Sequence, residues 1–251
     1  MILLSQLVDH INTLLAIDKI QDYCPNGLQV EGCAQVSSIV TGVTASQALI
    51  EHAVAVNADA ILVHHGYFWK NEAPQIVGIK KQRIARLLEN NISLLAYHLP
   101  LDLHAELGNN VQLAKVLGWQ PDVETSANGI PPLIRTATLN TPCDGATMAK
   151  HLAQCLQREP LHIPVDKPIK RVAWCTGGAQ SSLLAAVDLG VDAYITGEVS
   201  EPTVHEARES GIHFFAAGHH ATERYGVKAL GEYLASKWDV DCHFVDCDNP
   251  V

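Results

Sequence analysis

AILVHHGYFWK, residues 60–70, is the stretch from which the fold is read. Ile61, Leu62 and Val63 form a short apolar run bounded by polar residues, which predicts a buried β-strand delivering His64 and His65 at its carboxyl end. Open α/β sheets bind their ligands at that end. Adjacent residues of an extended strand face opposite ways, so both rings can serve one site only if the chain turns, and Gly66 permits a turn. With 13 histidines in 251 residues, a His-His pair is weak by itself, and the weight falls on its surroundings.

Upstream, Leu4, Leu7, Val8, Ile11, Leu14 and Leu15 recur at helical spacing and predict an amphipathic helix. Pro25, Asn26 and Gly27 signal a turn that feeds an extended segment. Residues 36–43 predict a strand ending at Gly42, and residues 45–56 a helix. Downstream, KKQRIARLLE (residues 80–89) predicts a helix ending at Asn90 and Asn91, which tolerate the left-handed cap. Residues 92–98 predict the next buried strand, which ends in His98, Pro100 and Asp102. Asn109 and Asn110 lead into a helix closed by Gly118. Alternating strands and helices of this kind make an α/β fold.

Residues 119–132 are polar and rich in Pro, Gly and Asn, which places a boundary there between a first α/β lobe, 1–124, and a second, 125–251. The second lobe repeats the first. TGVTASQALIEHAVAVNADAILVHH (residues 41–65) resembles TGGAQSSLLAAVDLGVDAYITGE (residues 176–198) with a two-residue gap, each reading strand, Thr-Gly turn, helix, then Asp-Ala opening a second strand. His64 and His65 then correspond to Gly197 and Glu198, and residues 92–98 to residues 212–218. Two related lobes would bring equivalent strand ends together about a pseudo-twofold axis. Ser200, Glu201 and Pro202 open a helix that Gly211 closes, a last helix spans residues 221–237, and residues 240–245 form a final strand.

Composition excludes several classes. A hydrophobic content of 47% with 18% charged residues describes a globular protein, and no apolar run reaches membrane-span length. The amino terminus, MILLSQLVDH, lacks the basic and apolar regions of a signal peptide, so a cytoplasmic location is expected. Seven scattered cysteines with no C-x-x-C spacing read as free thiols in a reducing compartment. A net charge of −10 argues against general nucleic-acid binding.

His219 and Glu223 are spaced i, i+4, as are His98 and Asp102, so each pair can converge on one point at a helix's first turn. Imidazole and carboxylate without thiolate suit Zn, Fe, Mn, Co or Ni better than Ca or Mg. This many ligands suits a pair of ions bridged by a carboxylate, which acidifies water and polarises a carbonyl, imine or phosphoryl oxygen. The competing reading is that the histidines satisfy buried backbone groups at strand ends. His10, His52, His151, His162, His205 and His243 have no such pattern and read as structural or surface residues.

PNGLQVEG (25–32), ILVHHGYFW (61–69), YHLPLD (97–102), RVAWCTGGAQ (171–180), TGE (196–198) and GHHATE (218–223) together resemble the NIF-three-like family, whose bacterial members are called GTP cyclohydrolase 1 type 2 homologues. The resemblance covers nearly the whole chain. It implies two intertwined, duplicated α/β lobes with mixed sheets and no inserted domain, assembled as a ring-shaped homohexamer whose metal centres face an internal cavity. It implies two divalent transition-metal ions per subunit, held by His64, His65, Asp102, His219 and Glu223, with Glu223 bridging. His98 and Glu198 become the acid/base candidates, and His220 lines the site. The implied reaction is hydrolysis of a small molecule, a purine nucleotide with GTP as the named candidate, by opening its imidazole ring with a metal-bound hydroxide. No P-loop or base-reading signature fixes the substrate. A different nucleotide or phosphoester metallohydrolase, and a non-catalytic metal-binding scaffold, remain the alternatives.

Overall fold

The computed structural model describes residues 1–122 and 131–251. Ile2–Leu3 (β1) leads into Leu4–Leu14 (α1), which buries Leu4, Leu7 and Ile11 as the apolar spacing requires. Gly27–Val30 (β2) and Gln35–Val36 (β3) precede Ser38–Thr44 (β4). Gln47–Ala55 (α2) begins where the Ser46 hydroxyl accepts the Leu49 N–H at 3.3 Å. Next come Ala60–His65 (β5), Gly78–Glu89 (α3), Ser93–Ala96 (β6) and the single turn Leu99–Asp102 (α4). Asn91 takes the left-handed conformation (φ 56°) that ends α3, as expected.

Asn109–Val116 (α5) closes at Gly118, φ 69°. Beyond residue 130 lie Arg135–Cys143 (β7), Gly145–Leu156 (α6), capped by Asp144, and Leu161–Ile163 (β8). Ile169–Trp174 (β9), Leu183–Asp188 (α7) and Ala193–Thr196 (β10) follow. Glu201–Ser210 (α8) has Pro202 in its first turn and Gly211 (φ 66°) at its end. His213–Ala216 (β11), His219–Lys237 (α9) and Asp241–Phe244 (β12) complete the chain.

The chain divides into two compact units, Met1–Asp102 with Gly226–Asp248, and Leu103–Tyr225 with Asn249–Val251. The lobes are therefore not consecutive halves of the sequence, because β12 pairs in parallel with β4 and so returns the carboxyl-terminal segment to the first unit. Most of the boundary expected at residues 119–132 falls outside the described residues. In the first unit the strand order is β12-β4-β5-β6-β2, parallel except for β2. One face of that sheet carries Val40, Ile61, Val63 and Leu94 against Leu49 and Ile50 of α2 and Ile84 and Leu87 of α3. The Tyr97 hydroxyl donates to Asn12 Oδ1 of α1 at 2.8 Å.

The second unit repeats this with β7-β9-β10-β11-β8, where both edge strands are antiparallel. Val172, Trp174, Ile195 and Phe215 face α5 and α6, while Ala173, Tyr194 and Phe214 face α7 and α8, the alternation a doubly covered sheet requires.

The registers locate the repeat residue by residue. Ala60 pairs with Ser93 and Ala193 with His213, so His64 and His65 do correspond to Gly197 and Glu198, and His98 to Gly218. The two Thr-Gly pairs are not equivalent. Ile39 pairs with Ala60 and Val172 with Ala193, which sets Thr41 against Trp174 and leaves Thr176 beyond its strand. Gly42 is no turn; it lies inside β4, where a Cβ would sit 2.7 Å from Leu49 Cδ2. The Asp-Ala signature has a physical cause in both copies. Asp59 Oδ2 accepts the Ser37 and Ser38 N–H groups at 2.7 and 3.0 Å, and Asp192 Oδ2 accepts those of Lys170 and Arg171 at 2.9 and 2.8 Å. Each aspartate thus ties the start of one parallel strand to the next.

Candidate metal centre

The first unit gathers its donors at the carboxyl ends of β5 and β6. His64 and His65 both still belong to β5, so the expected turn does not bring them together. Each ring is instead held from a neighbouring strand. His64 Nδ1 lies 2.9 Å from the Tyr97 carbonyl oxygen beyond β6, and His65 Nδ1 lies 3.2 Å from Thr44 Oγ1 at the end of β4. The ring centroids end 4.6 Å apart. Gly66 is needed for a different reason than a turn: it does not take a positive φ, and a Cβ there would fall on Gln29 Oε1 and 2.5 Å from Ala96 Cβ. A carbonyl can only accept, so His64 carries a proton on Nδ1 and turns Nε2 towards the site. That atom is 3.6 Å from Asp102 Oδ1, on the turn formed by α4.

His98 completes the set, with its ring 5.0 Å from His64 and 5.8 Å from His65. One ligand atom from each of His64, His65 and His98 lies within 4.8 Å of the others. His98 is fixed by two residues of a segment that, in sequence, reads only as a turn. Asp22 Oδ1 is 3.0 Å from His98 Nδ1, Asp22 Oδ2 accepts the Leu99 N–H at 3.0 Å, and Asn26 Oδ1 accepts the His98 N–H at 2.7 Å. Burial would raise the Asp22 pKa, but hydrogen bonds from His98 and Asn26 outweigh it and hold the carboxyl down at about 2. Asp22 is therefore ionised and fixes the His98 proton on Nδ1. Beside it, burial and the Asp22 charge push the Cys24 thiol up to about 12, and Asp22, Cys24 and His98 form a further group close enough to hold a metal ion.

In the second unit the donors come from the first turn of α9. His219 Nε2 lies 3.0 Å from Glu223 Oε2, one helical turn on, and His219 Nδ1 lies 2.6 Å from Glu198 Oε1. Burial lowers the His219 pKa, yet the hydrogen bonds and charges of Glu223 and Glu198 overcome it and raise the pKa to about 9. Glycines make this packing possible. Gly177 (φ 70°) leaves no room for a Cβ beside Glu223 Oε1, and a Cβ on Gly197 would sit 2.6 Å from His219 Cα. His220 is buried, and its N–H donates to the Val251 carbonyl at 3.0 Å.

The remaining histidines hold structural or surface positions, as expected. His10 Nε2 is 3.1 Å from the Tyr233 hydroxyl, His151 Nε2 is 3.0 Å from the Leu117 carbonyl, and His162 stacks on Phe215 at 4.3 Å. His205 and His243 make exposed pairs with Glu201 and Asp241.

The donor set could hold a metal ion. His64 and His219 each combine an Nδ1 held by an acceptor with an Nε2 aimed at a carboxylate, the arrangement by which proteins orient ligating imidazoles. A family model described as Duf34/NIF3 (NGG1p interacting factor 3) matches residues 2–250. The chain belongs to the Duf34/NIF3 family. Among similar proteins, one from Pseudomonas aeruginosa named "GTP cyclohydrolase 1 type 2 homolog" is 56% identical over 250 residues, covering 100% of this chain and 99% of its own. A solved structure described as "Structural genomics, protein ybgI, unknown function" shares 51% identity at a TM-score of 0.95, with 100% of both chains covered. A second, that of TTHA1606 from Thermus thermophilus, shares 33% identity at a TM-score of 0.88, again over 100% of both chains. The Duf34/NIF3 fold of mixed α/β sheets is the one that the sequence motifs implied. Among the described residues no helix is long and apolar enough to cross a membrane.

Proposed function

We propose that this protein is a metal-dependent hydrolase in which His64, His65, Asp102, His219 and Glu223 hold two divalent transition-metal ions. The observation that carries this reading is the convergence of His64 and His65, whose rings lie 4.6 Å apart with both Nδ1 atoms engaged elsewhere, on Asp102, whose Oδ1 is 3.6 Å from His64 Nε2. When bound, such ions supply Lewis-acid polarisation and bring the pKa of water toward ~7.

The chain's own residues supply the rest. Asp22 keeps the His98 proton on Nδ1, so Nε2 is the basic atom that takes a proton from attacking water and returns it to a leaving nitrogen or oxygen. Glu198 holds His219 by its Nδ1–H, which makes Glu198 a positioning residue. Asn26 and Asp22 together fix the backbone at His98 and Leu99, and so the approach of Asp102.

The substrate class we assign is a purine nucleotide, with GTP as candidate, on the strength of the name carried by relatives such as the Pseudomonas aeruginosa protein. A homohexamer and a cytoplasmic location belong to the same proposal; the seven free cysteines accord with the latter. Turnover of a nucleotide panel by metal-loaded protein tests it. Activity should be abolished in Asp102→Ala and retained in His10→Ala. Metal bound at full stoichiometry with no turnover of any nucleotide or phosphoester would refute the hydrolase and leave a metal-binding scaffold. The expected mass in solution is that of six subunits.

A further inference from the structure

Two large aromatic side chains stand beside the histidine cluster of the first unit with their rings only partly withdrawn from water. Tyr23 is 52% exposed and Trp69 is half-buried. Their centroids are 6.1 Å apart. Each meets His98 edge to face at 5.1 Å, with interplanar angles of 67° for Tyr23 and 84° for Trp69, and Trp69 lies 6.0 Å from His65.

The loop carrying Trp69 is built to hold it there. Phe68 adopts φ 66°, a conformation that costs a bulky L-residue on the order of 1–3 kcal/mol and persists only where the surroundings enforce it. They do so here. Glu72 Oε2 accepts both the Phe68 and Trp69 N–H groups, at 2.7 and 3.1 Å. Lys80 Nζ in turn pairs with Glu72 Oε1 at 3.3 Å and lies 4.8 Å from the Phe68 ring centroid. On either side, the Tyr67 N–H donates to Gln29 Oε1 at 2.7 Å and the Lys70 N–H donates to the Tyr23 carbonyl at 2.8 Å. The last bond ties the two aromatic residues to one frame. The strained backbone at Phe68 and these bonds hold the partly exposed indole against the His98 and His65 imidazoles.

We infer that Trp69 and Tyr23 form a stacking subsite for a planar heteroaromatic ring, and that this subsite holds the purine base of the substrate against His98. The inference rests on the nucleotide reading above and adds the residues that would select for it. The chemistry is that of π-face recognition: stacked rings separated by about 3.5–4 Å gain dispersion and electrostatic contact over their whole area. Base stacking on one protein aromatic is worth enough to change affinity on the order of 10–100-fold. A base lying on Trp69 would be held within reach of His98, the group assigned to move protons, whose ring centroid is 5.1 Å from that of the indole.

Guanosine and ribose 5-phosphate, titrated calorimetrically into the whole metal-loaded protein, are the two probes. Guanosine should bind on the order of 10–100-fold more weakly to Trp69→Leu and within a few-fold of wild type to Trp69→Phe, while ribose 5-phosphate should bind all three alike. Metal content, measured on each variant, should not change. In the unaltered protein, guanosine should also shift the indole N–H resonance of Trp69 upfield of its free position, a readout that needs no variant to fold. Equal guanosine affinity in Trp69→Leu and wild type, or an unmoved Trp69 resonance at saturation, would overturn the subsite while leaving the nucleotide reading standing. Failure of wild-type protein to bind guanosine at all would overturn both.

Discussion

The ends of β5 and β6 in the first unit and the ends of β10 and β11 in the second occupy equivalent places in two copies of one sheet, yet they supply metal-competent groups in opposite ways. In the first copy β5 ends in His64 and His65, and His98 follows β6 by two residues. In the second the same three positions are Gly197, Glu198 and Gly218. Glycine there is a requirement of packing, since Gly197 lets the backbone of His219 approach and Gly177 leaves space for Glu223. Glycine at Gly197 lets the first turn of α9 bring its own imidazole and carboxylate to the sheet, where Glu198 meets His219 at 2.6 Å. Duplication has kept the frame and exchanged which element bears the chemistry. The frame is recognisable in the paired aspartates, Asp59 and Asp192, which make the same two backbone bonds in each copy.

Substitutions can break or sharpen this contrast. The largest effect belongs to Gly177→Ala, which adds a clash with Glu223 to an unfavourable φ of 70°. It should lower unfolding stability by about 2–4 kcal/mol. Gly190→Ala, at φ 68° with nothing within 4 Å, carries only the conformational part, about 1–2 kcal/mol, and chemical denaturation of both isolates the packing difference. Next is the support of the imidazoles. Glu198→Gln should weaken metal affinity about 10–100-fold, because a charged acceptor holds His219 Nδ1–H, whereas Thr44→Val, which removes a neutral partner of His65, should cost less than that; competition with a chelator measures both.

A smaller and symmetrical loss is expected from Asp59→Asn and Asp192→Asn, about 1 kcal/mol each once solvent screening of these partly exposed groups is allowed for. Burial would raise both pKa values. For Asp59 the Ser37 and Ser38 bonds, and for Asp192 the Lys167 and backbone bonds, reverse that and hold them below the ordinary 3.8. A carboxylate with a depressed folded pKa stabilises fully above its unfolded value. The difference between wild type and either variant should therefore be constant above about pH 5 and shrink as pH falls below 3.8. A difference that grew on acidification, or appeared in one unit alone, would contradict the equivalence. The smallest effect belongs to His205→Ala, which touches only an exposed pair with Glu201 and should leave the melting midpoint unchanged.

Much of the frame was legible in the sequence because it is local. Apolar runs and cap residues located α1, α3, α5 and α8 and the strands carrying the histidines. Gly42 and Gly66 differ from expectation for a shared reason: both read as turns, but what they accommodate is a side chain from another element, which no local pattern encodes. Asp22 was missed likewise, since it meets His98 across 76 residues of sequence and its neighbours Pro25 and Asn26 read convincingly as a turn. Nor could local periodicity reveal that residues 226–248 rejoin the first unit, because that depends on β12 choosing β4 as its partner.

In the proposed function, His64, His65 and Asp102 from one copy of the repeat, and His219 and Glu223 from the other, are metal ligands. An anomalous-difference map from crystals grown with zinc tests it directly. Two peaks per subunit are expected, each about 2.0–2.2 Å from nitrogen and oxygen atoms of these five side chains. A map with no peak within bonding distance of any of them, in protein that folds as described, would contradict it.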